Sequence, residues 1–571
     1  MKKATTLFFG LLLFNSIKAQ TPAGDNLDIN NIKARFNADG SLFNSFGTGF
    51  NQGFEVPKGS GTHTFFSSGL WIGGYDNGGV LKLAGQTYSQ TGHDFFPGPL
   101  NTLAATDSLT MIAYNKVWKI NKCTIDSFIV NCQTGLPGYV TPSVITNWPA
   151  FSSFGQHLAP FFDANNDGLY NADSCDYPII KGDQAVFFVF NDKGKPHTET
   201  GGAPIGVEIQ AMAYAYNCSN DAALYNTVFT NYKVINKSSF RLDSTFIGNW
   251  ADFDIGAYND DYVGCDVTRS AMYVYNGDLI DGPALGTQAV YGANPPAQAT
   301  VFLRGPLADA DGTDTVMHTT PNGFGYGDLI IDNERLGLSN FVYYNNDANP
   351  VNGNPAGADD FYQFLNSTWR NGFPVTYGGA GTVTTNPAAS YMFPGNSDPL
   401  GFGTGTVQAP WDETVNTPSD RRGVGSVGPF TLQAGATQEI DFAYVYARAT
   451  TGGNLASVTA MQNRIDSVKQ KFTAGITPCG CGSPNGINNL ALNNTFSFYP
   501  NPASSELTVN YNGVAKSYSI KVYNALGQLV KSVETITTDK STVNISDLNT
   551  GVYLLNVFDG ENSTTKRFVK Q

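Results

Sequence analysis

The stretch QAVFFVFND, residues 184–192, is followed by GVEIQAMAYAYN (206–217), NTVFTNYKVINKS (226–238) and DSTFIGNWADFD (243–254). Each is rich in Val, Ile, Phe, Tyr, Thr or small apolar residues and is bounded by Gly, Asn, Asp or Ser, the composition of long strands joined by turns. Together they predict a β-sandwich. The same pattern continues outward on both sides. Residues 20–180 contain ARFNADGSLF (34–43), FEVPKGSGTHTFFSSGLWIGGYDNGGVLKLAG (54–85) and IAYNKVWKINKCTIDSFIV (112–130), all of which read as β-like alternations. After a Gly-, Asn- and Pro-rich stretch at 346–410, which reads as long surface loops, GPFTLQAGATQEIDFAYVYARAT (428–450) returns to strand alternation.

Composition agrees with this reading. The chain has 571 residues, with 62 Gly, 29 Pro, 13% aromatic residues and 41% hydrophobic residues. That is enough apolar material for more than one core, and it argues against global disorder. Charged residues are only 14%, against roughly 25% in ordinary globular proteins. The formal net charge is -14, and no cluster of Lys and Arg is present to neutralise phosphates, so a nucleic-acid partner is excluded. Because the first nineteen residues carry Lys2, Lys3 and Lys18 and no acid, the acidity sits in the body, where it suits divalent cations.

One helix is expected. In NLASVTAMQNRIDSVKQKFTAG (454–475) the residues Val458, Met461, Ile465, Val468 and Phe472 recur at three and four, with Asn454 as cap and Gly475 as stop. The breaker-rich ITPCGCGSPNGINN follows. The expected organisation is a signal peptide at 1–19, an N-terminal β-rich region at 20–180, a β-sandwich body with acidic loops at 181–475, a linker at 476–495 and a separate C-terminal module at 496–571.

Both ends concern export. MKKATTLFFGLLLFNSIKAQ has a basic start, an apolar run from Leu7 to Phe14 and Ala19 before Gln20, the layout of a secretory signal peptide. Its apolar run is too short for the roughly 20 residues that span a bilayer, and no later segment is apolar enough to span one. At the other end, Leu507, Val509 and Tyr511 alternate, as do Ile520 and Val522, and Val543 and Ile545. Such segments, separated by NG, LG, DK, NTG and DG, predict a seven-stranded, Ig-like module.

The same tail carries YPNP (Tyr499, Pro500, Asn501, Pro502), LTV at 507–509, LGQLV with Gly527, DLNTGVYLLNV with Gly551 and Tyr553, and a terminal KRFVKQ with Lys566 and Arg567. In these motifs it resembles the type A C-terminal sorting domain of cargo of the Bacteroidota type IX secretion system. The resemblance implies recognition by an outer-membrane translocon and shuttle, then removal of the tail by a sortase-like protease. The cargo is released or attached to surface glycolipid, so an extracellular or cell-surface location is expected. The body, through FEVPKGSG with SGLWIGG, DANNDGLYNADSCDYPIIKGDQAVFFVFND and NWADFDIGAYNDDYVGCD, is similar to a recurrent segment of secreted Bacteroidota proteins, which implies kinship and no chemistry.

Two acidic loops are the candidate metal sites. DANNDG places Asp163, Asn165 and Asp167 at the first, third and fifth positions of a calcium-type loop, with Gly168 at the bend and the carbonyl of Leu169 at the seventh. Ser174 stands where a bidentate acid would close it, so Asp173 or Asp176 must substitute. A solvated turn is the plain alternative. In 249–266 the carboxylates of Asp252, Asp254, Asp260, Asp261 and Asp266 crowd together, which raises their pKa values or requires a cation. Calcium, exposed loop carboxylates and an acid–base pair, as in glycoside hydrolysis, are three readings of this cluster. DADGTD (309–314) is a weaker third candidate.

The five histidines are widely spaced, and no HExxH, GxSxG, Walker loop or strand-linked GxGxxG occurs, so zinc and nucleophile chemistry find little support. Seven cysteines imply disulfides in an oxidising compartment, with Cys123 and Cys132 across a supposed hairpin as the preferred bridge. The expected function is a secreted or cell-surface, calcium-stabilised protein with an adhesive, matrix or glycan-binding role. A polysaccharide hydrolase using the 252–266 carboxylates is the alternative.

Overall fold

The structure, a computed structural model, describes residues 21–45, 51–89, 92–136, 138–284, 286, 288–315, 323–480, 496–511, 517–524, 529–558 and 563–571. The supposed leader at 1–19, linker residues 481–495 and Gly527 lie outside the described residues. The chain divides into a large unit up to Cys481 and a small unit from Gly482 onward.

Two large antiparallel sheets, with three two-stranded ribbons beside them, make up the described strands of the large unit. The first runs Gly24–Leu27, Lys33–Asn37, Phe54–Glu55, His63–Tyr75, Leu242–Phe253, Arg421–Leu432, Asn340–Asn345, with Leu81–Gly85 also on His63–Tyr75. The second runs Asp261–Asp266, Ala271–Asn276, Ala297–Arg304, Thr437–Ala447, Thr227–Asn236, Val207–Ala215, Gln184–Asn191, Phe96–Pro97, and Trp118–Asn121 pairs with Gln184–Asn191. Strands from 20–180 pair with strands from 181–475 in both sheets, His63–Tyr75 with Leu242–Phe253 in the first and Phe96–Pro97 with Gln184–Asn191 in the second, so these regions share one core and form one unit.

Gln184–Asn191 is buried along its whole length because both of its faces are covered. Successive side chains point to opposite faces. Val186, Phe188 and Phe190 join the core between the sheets, where Phe36 meets Phe188 at 6.2 Å and Phe65 meets Tyr444 at 5.8 Å. Ala185, Phe187 and Val189 join a second core under the helix Gly453–Ala474, whose Met461, Ile465 and Val468 are fully buried.

That helix confirms the 3.6-residue periodicity, with a shifted start. Gly452, at φ 91°, is its N-cap, and Asn454 lies inside the helix, its amide donating 2.7 Å to the Asn276 carbonyl. The supposed surface loops at 346–410 hold the helix Ala358–Leu365 and the buried Trp369, Tyr391, Met392 and Phe393. Trp71 bridges them to the first sheet, 4.5 Å from Phe361 and stacked 6.3 Å from Trp250.

The disulfide expectation is corrected. Lys122–Thr134 is a helix, with Ile125 and Phe128 buried three apart, a spacing that a short β alternation mimics. Nine helical steps lead from Cys123 to Cys132, about 13.5 Å at 1.5 Å each, beyond the reach of a disulfide. Cys132 bonds Cys175 instead, and Cys218 bonds Cys479 across 261 residues. Cys123 is also disulfide-bonded, whereas Cys265 is a free buried thiol.

Among the described residues the small unit shows the expected seven strands. Phe496–Tyr499, Glu506–Tyr511 and Lys540–Asn544 form one sheet, and Leu529–Ile536, Tyr518–Tyr523, Gly551–Phe558 and Ser563–Lys570 form another. Leu507, Val509, Ile520, Val522, Leu555 and Phe568 are fully buried in its own core.

Candidate functional site

On Leu242–Phe253 the residues Trp250 and Asp252 share one face, and Asp254 lies two positions beyond, just past the strand end. Phe253 points the other way into the sandwich core. Arg422 sits directly opposite Asp252 in the neighbouring strand. Its Nη2 donates 2.9 Å to Asp252 Oδ2, its Nη1 donates to Asp420 Oδ1, and its Nε donates 2.8 Å to the Tyr88 hydroxyl. Tyr88 in turn donates 2.7 Å to Asp252 Oδ2.

These groups floor a cavity of about 400 Å³ walled by Phe66, Tyr88, Tyr258 and Asn346. One carboxylate oxygen each from Asp252, Asp254 and Asp420 lies within 4.8 Å of the others. Asp252 is only 2% exposed and its Oδ1 has no hydrogen-bond partner. Burial pushes its carboxyl up to about 7 despite the Arg422 guanidinium. Burial, with Asp252 alongside, pushes Asp254 well above the ordinary carboxylate range, although Gln52 Nε2 donates 2.9 Å to its Oδ2.

The remaining aspartates of 249–266 are engaged separately. Asp261 is buried, accepts 2.9 Å from the Ile255 amide and is pushed well above its usual pKa by burial. Asp260 accepts 3.2 Å from the Gly282 amide. Asp266 pairs with Arg269 at 2.9 Å and accepts from Gln462 of the long helix. What looked like one cluster is thus one pair at a cavity and three structural carboxyls.

The DANNDG loop folds around its own backbone. Asp163 accepts from the amides of Asp167 and Gly168 at 3.3 and 2.8 Å. Asn165 holds Asp167, whose Oδ1 accepts 2.8 Å from the Leu169 amide. Asp173 lies in the short helical turn Ala172–Ser174, with its amide on Asn171 Oδ1. Asp176, buried, closes the loop by accepting from Ala164 and Asn171, and Cys175 beside it fastens the loop to the helix Lys122–Thr134. In DADGTD, Asp309 accepts from Thr431 and Asp314 from Gly327 and Leu329, as ordinary loop ties.

A second group of possible ligands among the described residues, Asp183 with Cys218 and Cys479, is already used. Its thiols form a disulfide, and Asp183 accepts from the amides of Asn217, Cys479 and Gly480.

Sequence reasoning missed Tyr88, Asp420 and Arg422 as partners of Asp252. Arg422 lies 170 residues from it along the chain, and the only local hint was RR after an aspartate at 420–422.

In the small unit, Tyr499, Pro500, Asn501 and Pro502 are exposed, with Asn501 Oδ1 accepting 2.9 Å from the Val569 amide. Tyr553 stacks on Phe568 at 5.6 Å, in the strand that opens at Gly551. Lys566 lies 4.8 Å over the Phe496 ring, and Arg567 is exposed.

Residues 497–571 match the family described as the secretion system C-terminal sorting domain. No curated protein matches the chain. Among solved structures it is similar to a DUF3244-family protein with an immunoglobulin-like β-sandwich fold from Bacteroides vulgatus. That protein is 16% identical over 14% of this chain and 85% of its own, with a TM-score of 0.12. It is also similar to a polysaccharide lyase, 8% identical over 69% of this chain, with a TM-score of 0.19. The chain spans 37% of that lyase. At these TM-scores neither likeness bears on function. The sorting domain indicates export to the cell surface or extracellular space, and no helix among the described residues is long and apolar enough to cross a membrane.

Proposed function

We propose that this chain is a surface or extracellular binding protein, delivered by the type IX secretion translocon and shuttle, whose body holds glycan in the Asp252 cavity. The observation that carries the reading is the lining itself. Phe66, Tyr88 and Tyr258 bring aromatic rings to the lining, while Asp254, Asp420 and Asn346 offer acceptors and a donor for hydroxyls. Flat apolar faces beside a few polar groups are what a sugar ring meets in a binding site. Tyr258 is 38% exposed, so part of its ring meets solvent. A sortase-like protease then removes the tail, leaving the body released or on surface glycolipid.

Calcium serves as a stabilising ion in the DANNDG loop, supported by the oxygens of Asp163, Asn165 and Asp167 gathered on one short turn. The glycan reading is tested by glycan-array binding of the secreted chain. Tyr258→Ala should weaken retention about tenfold, the effect of losing ~1.4 kcal/mol of stacking. Retention of no glycan would overturn it.

A hydrolase is the second reading, favoured by one observation: two neighbouring carboxyls, one raised to about 7 and the other held well above the ordinary carboxylate range by burial, share the cavity as an acid–base pair would. It requires turnover on a polysaccharide panel that Asp254→Asn abolishes while the fold survives.

A further inference from the structure

We propose that the Asp252, Asp254 and Asp420 carboxylates form a divalent-cation site, selective for calcium, at the floor of the same cavity. Three observations converge on it. The first is spacing: the three oxygens lie within 4.8 Å of one another, the span of two opposed ligands each about 2.4 Å from calcium.

The second is the free oxygen. Asp252 Oδ1 is buried and without a partner, while Oδ2 is already held by Arg422 and Tyr88. A buried carboxylate oxygen left unpaired is costly, and an ion beside it removes that cost. Arg422 also grips Asp420 through its other nitrogen, so one guanidinium orients two of the three carboxylates. The third is charge. Among the lining side chains three are carboxylates and one, Arg422, is basic, so the ionised site carries two uncompensated negative charges, which one divalent ion balances.

Calcium fits better than magnesium because ligand oxygens up to 4.8 Å apart suit its bonds of about 2.4 Å, while magnesium at about 2.1 Å draws opposed oxygens closer. Magnesium demands near-octahedral order, whereas calcium tolerates irregular shells. The coordination positions that face the cavity are left to water or to neighbouring hydroxyls of a bound sugar, which makes glycan binding depend on the ion. In this respect the inference rests on the glycan reading; the ion itself is measured without sugar.

The experiment uses the secreted chain with its DANNDG loop disabled by Asp163→Asn and Asp167→Asn, so that one cation site remains. Calcium is titrated calorimetrically, and terbium luminescence is read through sensitisation by Tyr88 and Tyr258. One ion should bind, and Asp254→Asn or Asp420→Asn should weaken it at least tenfold. Asp420 is only half-buried, so its variant keeps the test open if Asp254→Asn fails to fold. No calcium or terbium bound by the loop-disabled protein, or binding unchanged in both variants, overturns the site. A bound ion with no glycan retained sinks the glycan reading alone, and glycan retained with no ion bound sinks the ion site alone.

Discussion

Arg422 is 5% exposed, faces Asp252 across the sheet, and touches Tyr88 and Asp420 as well. Removing one partner of a buried ion pair strands the other charge, a loss of about 3–5 kcal/mol. Arg422→Met, which keeps much of the volume, should therefore lower calcium-free stability by that order at pH 8. At pH 5 the loss should shrink, because without the guanidinium Asp252 takes up a proton more readily. Denaturant melts at the two pH values decide this, and an equal loss at both would show that the pair contributes no charge-dependent stability. The Asp252 pKa near 7, with Arg422 only 2.9 Å away, already records how strongly burial opposes the ionised form.

The helix Gly453–Ala474 closes the second core against the strands Ala297–Arg304 and Thr437–Ala447. Its buried Ile465 has no exposure at all. Ile465→Ala should cost about 2–5 kcal/mol, read as a shift of the urea midpoint with an unchanged slope. The chain just beyond this helix is pinned by Cys218–Cys479, and Asp183 caps the same corner through the Cys479 and Gly480 amides. A bridge across 261 residues restricts the unfolded chain strongly, and Cys479→Ala should destabilise the large unit by roughly 5–6 kcal/mol in the entropic account. A melt unmoved by that change would show that the unfolded chain gains little freedom.

For the molecule as a whole, several carboxyls are raised by burial: Glu199 and Glu413 to about 7, Asp252 to about 7 and Asp281 to about 6. Each binds its proton more tightly folded than unfolded. Such groups contribute stability that is complete below their unfolded pKa, near 4, and is lost as pH rises through 6 to 7. The calcium-free protein should accordingly melt higher at pH 5 than at pH 8, by about 5 °C. A calorimetric melt that instead rises toward pH 8 would mean these carboxyls are ionised and paired in the fold. Export belongs to this scale too. The small unit has its own core, so a reporter joined to residues 496–571 should reach the surface of a host with a working type IX system. Retention in the periplasm would sink that assignment.

The sequence by itself determined the β class, the long amphipathic helix and the seven-stranded tail, because these depend on periodicity along short stretches. Leu507, Val509 and Tyr511 line one face whatever lies elsewhere. It also placed Asp252 and Asp254 together, since a strand projects alternate side chains to one side. The tertiary structure decided the rest. Asp420 and Arg422 join the site by strand pairing, Asp260, Asp261 and Asp266 leave it for amides and Arg269, and Cys132 finds Cys175 because Lys122–Thr134 coils into a helix. Pairing of strands far apart in the chain is set by which faces bury together, and that choice is made by the packed core rather than by any local run of residues.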